Sequence, residues 1–234
     1  MRTIGLYMKS IVGYHLIASE LENLRIDAEA KYGEISHEQL ETSLGVIMNF
    51  LHRYPRVFAV RVDLRFPQIP VMDDPDMPTS FPPEVEEERV IKRFIASLKS
   101  QIQAARHRKG KAGKPFFLGF IWVKEQVTSQ YPHYHVVLLF NRDDYGHLGD
   151  YSNLDGDNMA TRIRKAWCSA LRLTYPDYAS LVHFPDDAEY RFDRRDADLH
   201  NEKFYNFLER TAYLFKLRTK VRNSRNFGRS QLIR

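Results

Sequence analysis

The chain reads as an α+β protein, an antiparallel sheet with helices packed on one face and a helical extension in front of it. Three observations predict this. Val57–Phe66 alternates apolar and polar side chains with the period of a half-buried strand. Two more apolar runs, Phe116–Lys124 and His133–Phe140, lie close enough in sequence to pair as a hairpin. Segments with helical spacing, Glu84–Arg108 and Met159–Leu173, separate the strands.

In chain order, Leu16, Ile17, Leu21, Leu24 and Ile26 suggest a first helix. Ser36-His-Glu-Gln39 forms a capping box that opens a second, with Leu40, Leu44, Ile47, Met48 and Leu51 on its apolar face. These make residues 1–54 an N-terminal helical extension and residues 55–234 the main domain. In Val57–Phe66, Val60, Val62, Leu64 and Phe66 share one side, while Arg61, Asp63 and Arg65 take the other and read as surface. Six of the eleven prolines fall in Pro67–Pro83, which predicts an irregular loop. The next helix, Glu84–Arg108, carries the stripe Ile91, Phe94, Ile95, Leu98, Ile102 and Ala105. Asn141–Asn158 is a polar loop whose five aspartates lack the spacing of a calcium loop.

After the helix Met159–Leu173 come a short strand, Leu181–Phe184, and an edge at Tyr190–Phe192. An amphipathic helix over Asn201–Arg222 follows, built on Phe204, Phe207, Leu208, Leu214, Phe215 and Leu217. The core order is strand, helix, strand, strand, helix, strand, the ferredoxin-like split arrangement. Such a sheet can leave one face for ligands.

A chain of 234 residues can bury a full core. No apolar run approaches the roughly 20 residues of a membrane span, and Met1–Ala18 lacks the pattern of a signal peptide. The lone Cys168 excludes an internal disulfide, fits a reducing cytoplasm and reads as a small buried hydrophobe. The net charge of +5 is unevenly spread. Lys216–Arg234 holds seven Lys or Arg and no acid, Arg106–Lys111 is a second basic cluster, and Asp73–Glu88 is acidic. Segregation of this kind suggests a polyanionic partner.

The chemistry concentrates in two places. On a strand, His133 and His135 point to one face, a pre-spaced chelate for a divalent metal. Only Gln126–Pro132 separates them from Glu125, so a hairpin would close a His-His-carboxylate triad. On a helix, Tyr213, Lys216 and Lys220 would share a face. A free phenol, with a pKa of about 10, is a poor nucleophile at neutral pH. Neighbouring cations favour the phenolate and can hold substrate phosphates.

Together, Glu125, His133-Tyr134-His135 and Tyr213-x-x-Lys216 resemble the HUH endonucleases. The likeness is nearest to inovirus-type replication initiators and the prophage-encoded YagK/YfjJ C-terminal family. It is carried by Tyr131-Pro-His-Tyr-His-Val-Val-Leu-Leu-Phe-Asn141, by Ala212-Tyr-Leu-Phe-Lys-Leu-Arg-Thr-Lys220 and by Val60-Arg-Val-Asp-Leu64, and spans about Arg56 to Arg229. The resemblance implies an RRM-like sheet and a rolling-circle initiator that nicks and joins single-stranded or hairpin DNA at a replication origin. It further implies Mg²⁺ or Mn²⁺ on Glu125, His133 and His135, and Tyr213 as the nucleophile of a 5′-phosphotyrosine intermediate. Lys216 would steady the phenolate or the phosphate. Lys220, Arg218, Arg222 and Arg225 would contact DNA, and a host helicase would be a further partner.

Many relatives carry two tyrosines one helical turn apart. Here Tyr205 lies eight residues before Tyr213, roughly 80° around a helix, a weak second nucleophile. Asp63 and Asn141 are candidates for orienting the imidazoles, although pattern alone favours a surface position and a strand-end cap. Trp122 and Tyr131 could stack on bases, with core packing the stronger reading of Trp122. His147, His183 and His200 show no ligand spacing. Two other classes stay open. One is a DNA-binding regulator, or a decayed prophage protein, that keeps the fold without chemistry. The other is a metal-dependent oxygenase or hydrolase, although the apolar Val136–Phe140 lacks the glutamate a cupin site needs.

Overall fold

A computed structural model describes residues 18–67, 87–111, 113, 115–126, 131–196, 201–220 and 224–233. The predicted loop 68–83, Leu16, Ile17, Lys114, His200 and Arg222 lie outside the described residues.

Six strands form one sheet: β1 (Arg56–Leu64), β2 (Gly119–Glu125), β3 (His133–Asn141), β4 (Val182–His183), β5 (Glu189–Asp193) and β6 (Phe227–Arg229). Their order is β4-β1-β3-β2-β6, with β5 also paired to β1, and every pairing is antiparallel. Five α-helices accompany them: α1 (Ala18–Tyr32), α2 (His37–Arg53), α3 (Glu87–Arg108), α4 (Met159–Leu171) and α5 (Glu202–Ala212). The fold is α+β with an open antiparallel sheet.

Helices cover both faces of the sheet, not one as expected. Phe58, Val60, Val62 and Leu64 of β1 and Tyr134, Val136, Leu138 and Phe140 of β3 pack with α3 and α4 around Trp167. Their alternates, Val57, Ala59, Val137 and Leu139, pack with α1, α2 and α5. The reason is written in β3, which runs Val136–Phe140 with no polar alternate, as strands buried on both faces do. Helices α1 and α2, read from sequence as an extension, therefore help close the core of the main sheet. Strand β2 begins at Gly119, three residues later than the apolar run suggests. A Cβ there would lie 2.8 Å from Cδ2 of Phe50 and 2.9 Å from Cβ of Leu139, so α2 presses on the strand where glycine admits it.

Ser36 caps α2 by accepting from the Gln39 amide at 3.4 Å. The reciprocal half of the capping box is replaced: the Ser36 amide donates to the Phe215 carbonyl at 2.9 Å. That bond matters downstream, because the helix predicted to reach Arg222 ends at Ala212. Beyond it, Tyr213–Phe215 and Leu217–Thr219 are single 3₁₀ turns joined by an extended Lys216. Ile35 bridges Lys216, and the Leu217 amide donates to the Glu34 carbonyl at 2.9 Å. The loop between α1 and α2 thus supplies partners that a continuing helix would not need, and the helix gives way.

The basic segments are tied into the fold. Arg106 and Lys111 both pair with Asp144, at 3.1 and 3.2 Å, while His107, Arg108 and Lys109 between them are exposed. The C-terminal basic stretch contains β6, which pairs with β2.

Candidate metal centre

Register builds the site. In the β2–β3 hairpin Glu125 stands opposite His133, and in the β1–β3 pair Asp63 stands opposite His135. With a side-chain period of two, Glu125, His133, His135 and Asp63 all project on the face shared with α1, α2 and α5, at its polar end. Ligand atoms of Glu125, His133 and His135 lie within 4.8 Å of one another, the one such group among the described residues. Nε2 of His133 and Nε2 of His135 are 3.1 Å apart, and Oε2 of Glu125 is 3.3 Å from the latter. Both imidazoles thus turn the same nitrogen toward one carboxylate oxygen.

Asp63 holds the arrangement from behind. Its Oδ1 lies 2.5 Å from Nδ1 of His135, which leaves Nε2 directed at the cluster. Sequence pattern assigned Asp63 to the surface; it is 8% exposed, because the helices on that face bury this side of β1 as well. Asn141 lies at the far end of β3 and accepts from the Asp143 amide, a turn cap.

The charges balance locally. Burial opposes ionisation of Glu125, but the hydrogen bond and charge of His135, together with the Lys220 ammonium, hold its carboxyl well below the usual range. Burial also works against protonated His135. Hydrogen bonds to Asp63 and Glu125 outweigh it and raise that imidazole above its ordinary value. His133 is shifted the other way, by burial and then by the charge of His135.

Lys216, expected to steady the phenolate or the phosphate, and Lys220, expected to contact DNA, both turn inward to Glu125, Lys216 Nζ 3.2 Å from Oε2 and Lys220 Nζ 2.9 Å from Oε1. The extended backbone at Lys216 makes this possible. Burial lowers the Lys220 ammonium, with Glu125 pulling in the opposite sense. Tyr213 sits between cations, with Lys216 Nζ 3.6 Å from its ring centroid and the Arg61 guanidinium 5.3 Å away. Tyr32 of α1 meets the ring edge-on at 5.0 Å. The half-buried phenol lines a cleft of about 410 Å³ with Arg61, His183 and Arg210, and its hydroxyl has no hydrogen-bond partner among the described residues.

A family model matches residues 18–230, that of the YagK/YfjJ C-terminal domain. The chain belongs to the YagK/YfjJ family. It is 42% identical over 186 residues to the uncharacterized protein YagK of Escherichia coli (strain K12), covering 77% of this chain and 86% of that one. With the uncharacterized protein YfjJ of the same strain it shares 32% over 194 residues, 80% of this chain and 90% of the relative. No solved structure matches.

In this YagK/YfjJ chain, the other predicted residues scatter. Tyr205 donates to Asp27 of α1, and burial, then that carboxylate, pushes its phenol pKa up. Arg218 and Arg225 are exposed, and Arg225 lies over the Trp122 ring at 5.6 Å. Tyr131 stacks on Phe66 with centroids 5.9 Å apart. Sequence reasoning passed over Tyr32, placed Arg61 on the surface and found no ligand spacing for His183. His183 reaches Asp63, Nδ1 to Oδ2 3.7 Å, only because β4 pairs with β1.

Proposed function

We propose that this protein is a metal-dependent DNA endonuclease and strand transferase, an initiator of rolling-circle replication acting on single-stranded or hairpin DNA. The observation that carries the reading is Lys216. Its ammonium touches both the Glu125 carboxylate and the face of Tyr213, so one side chain joins the candidate metal cluster to the candidate nucleophile. The chain order strand, helix, strand, strand, helix, strand, with β4, β1, β3 and β2 adjacent in that order, supports a ferredoxin-like core of the HUH kind.

The donor set fits a divalent cation: two imidazoles and a carboxylate converge, and Asp63 fixes one imidazole from behind. Glu125, His133 and His135 would hold Mg²⁺ or Mn²⁺, which when bound supplies neutralisation of charge on a phosphate oxygen. The remaining work falls to the chain's own residues. The Tyr213 oxygen gives up its proton to water and forms a bond to phosphorus. The bond from phosphorus to the 3′ oxygen breaks, and that oxygen takes a proton from water. The product is a 5′-phosphotyrosine with a free 3′-hydroxyl, and attack by a second 3′-hydroxyl reverses the step and joins ends. Lys216 stabilises the phenolate charge, and Arg61, whose guanidinium also lies over the ring, lines the same cleft as Tyr213.

The test is incubation with origin-hairpin oligonucleotides and Mn²⁺, followed by denaturing electrophoresis. A covalent DNA–protein adduct is expected, with Tyr213→Phe lowering its yield about a thousandfold or more while folding is unchanged. An undiminished adduct in Tyr213→Phe sinks the assignment of the nucleophile. One observation favours a second reading, a DNA-binding protein without chemistry. Two ammonium groups already neutralise Glu125, so the cluster is balanced by the protein alone. Salt-sensitive DNA binding with no adduct and no Mn²⁺ binding would select it.

A further inference from the structure

We propose that the groove between α3 and the β2–β6 edge is a second nucleic-acid site, taking the single strand that flanks the scissile bond. This rests on the nuclease reading for its substrate, but on a different surface for its observations. The groove lies on the α3–α4 face of the sheet, opposite the metal cluster, with a volume of about 390 Å³. Lys92, Lys99, Lys124, Arg225 and Arg229 line it, and no carboxylate does among the described residues. Away from the groove, Arg106 and Lys111 are matched by Asp144, and Lys216 and Lys220 by Glu125. Lys92, Lys99, Arg225 and Arg229 have no such partner among the described residues. Among the described residues, Arg225 and Arg229 donate only to nearby backbone carbonyls, of Phe227 and Ser230. A cleft lined by cations and, among the described residues, by no carboxylate is an electrostatic footprint for a polyanion.

Aromatic rings decide which polyanion. Phe120 is half-exposed in the groove, with the Lys99 ammonium 5.8 Å from its centroid. Trp122 forms the floor under Arg225. Gly228 lets β6 cross the indole closely, since a Cβ there would lie 2.5 Å from Cε2 of Trp122. A π-face bordered by cations accepts an unpaired base and its phosphate, which a duplex keeps internally stacked and an acidic peptide lacks. The groove shares Lys99, Phe120 and Arg229 with a neighbouring trough of about 1100 Å³, so more than one nucleotide can follow the path. Trp122 precedes Glu125 by three residues on β2, roughly 10 Å along the strand. A strand leaving the cluster needs only to cross the three-residue edge β6, past Arg225, to enter.

The experiment titrates full-length protein with oligothymidylate in EDTA, which removes any dependence on the cutting step. Tryptophan fluorescence is the readout, because Trp122 lines the groove whereas Trp167 is fully buried. Quenching is expected in the native chain and equally in Tyr213→Phe, but not in Trp122→Phe. Phe120→Ala should weaken binding about tenfold through loss of stacking. Lys99→Gln with Arg229→Gln, both exposed or half-exposed, should reduce the slope of log K against log salt by about 1.4. Thermal melts of each variant verify folding. Unchanged affinity and slope in the folded charge variant overturn the proposal, as does quenching by polyglutamate with none by oligothymidylate. If the adduct assay fails while these effects persist, the nuclease reading falls and the groove stands as a single-strand binding site.

Discussion

The two faces of β1 began from the same alternation and ended differently. Toward α3 and α4 the strand offers Phe58, Val60, Val62 and Leu64, all fully buried and all apolar. Toward α1, α2 and α5 it offers Val57 and Ala59, then changes character at Arg61 and Asp63. Burial is similar, so exposure does not separate the two faces; partnership does. Each buried charge at the polar end meets another in a closed chain, Asp63 to His135 to Glu125 to Lys216 and Lys220. A carboxylate at 2% exposure is tolerable only under such conditions. One face of β1 is apolar throughout, while the other gives half its length to paired charges.

That contrast can be broken from either side. On the apolar face, Trp167→Ala should cost about 3–5 kcal/mol in urea unfolding, because it opens a cavity where Phe66, Phe94 and Tyr134 converge on the indole. On the polar face, Glu125→Gln should cost about 3 kcal/mol, since two buried ammonium groups lose their counter-charge. Pairing it with Lys220→Met should recover part of that loss, and additivity of the two costs would contradict the closed chain. Asp63→Asn preserves shape and should weaken Mn²⁺ binding by about 10–100-fold in calorimetry, with a smaller effect on stability.

The mildest test uses pH. His135 is held protonated above its ordinary range, so a cation must displace that proton. Mn²⁺ affinity should therefore rise with pH through and above about 6.5, by up to tenfold per unit for one released proton. In Asp63→Asn the rise should move to lower pH. A flat profile in the native chain would mean that His135 is not a ligand.

Much of the ion cluster was legible because it follows from short-range rules. A period of two aligned His133 with His135, and a short connection brought Glu125 across from them. The remainder depends on distant pairings that no local pattern encodes. Asp63 looked like surface because alternation treats every polar residue as outward, and the helices that bury it lie elsewhere in the chain. Arg61 and His183 enter only through the neighbours of β1. The end of α5 at Ala212 has no Pro or Gly to announce it, since the competing partners sit at residues 34–36. One missed feature was within reach: the unbroken apolar run in β3 already implied cover on both faces.

The bond from the Ser36 amide to Phe215, with Tyr32 abutting Tyr213, makes the front of the chain a splint for a turn near its back. A fragment trimmed to begin at β1 would keep Glu125, His133 and His135 and yet lose the contacts that hold the Tyr213 turn. A piece that preserves this turn must start ahead of Tyr32.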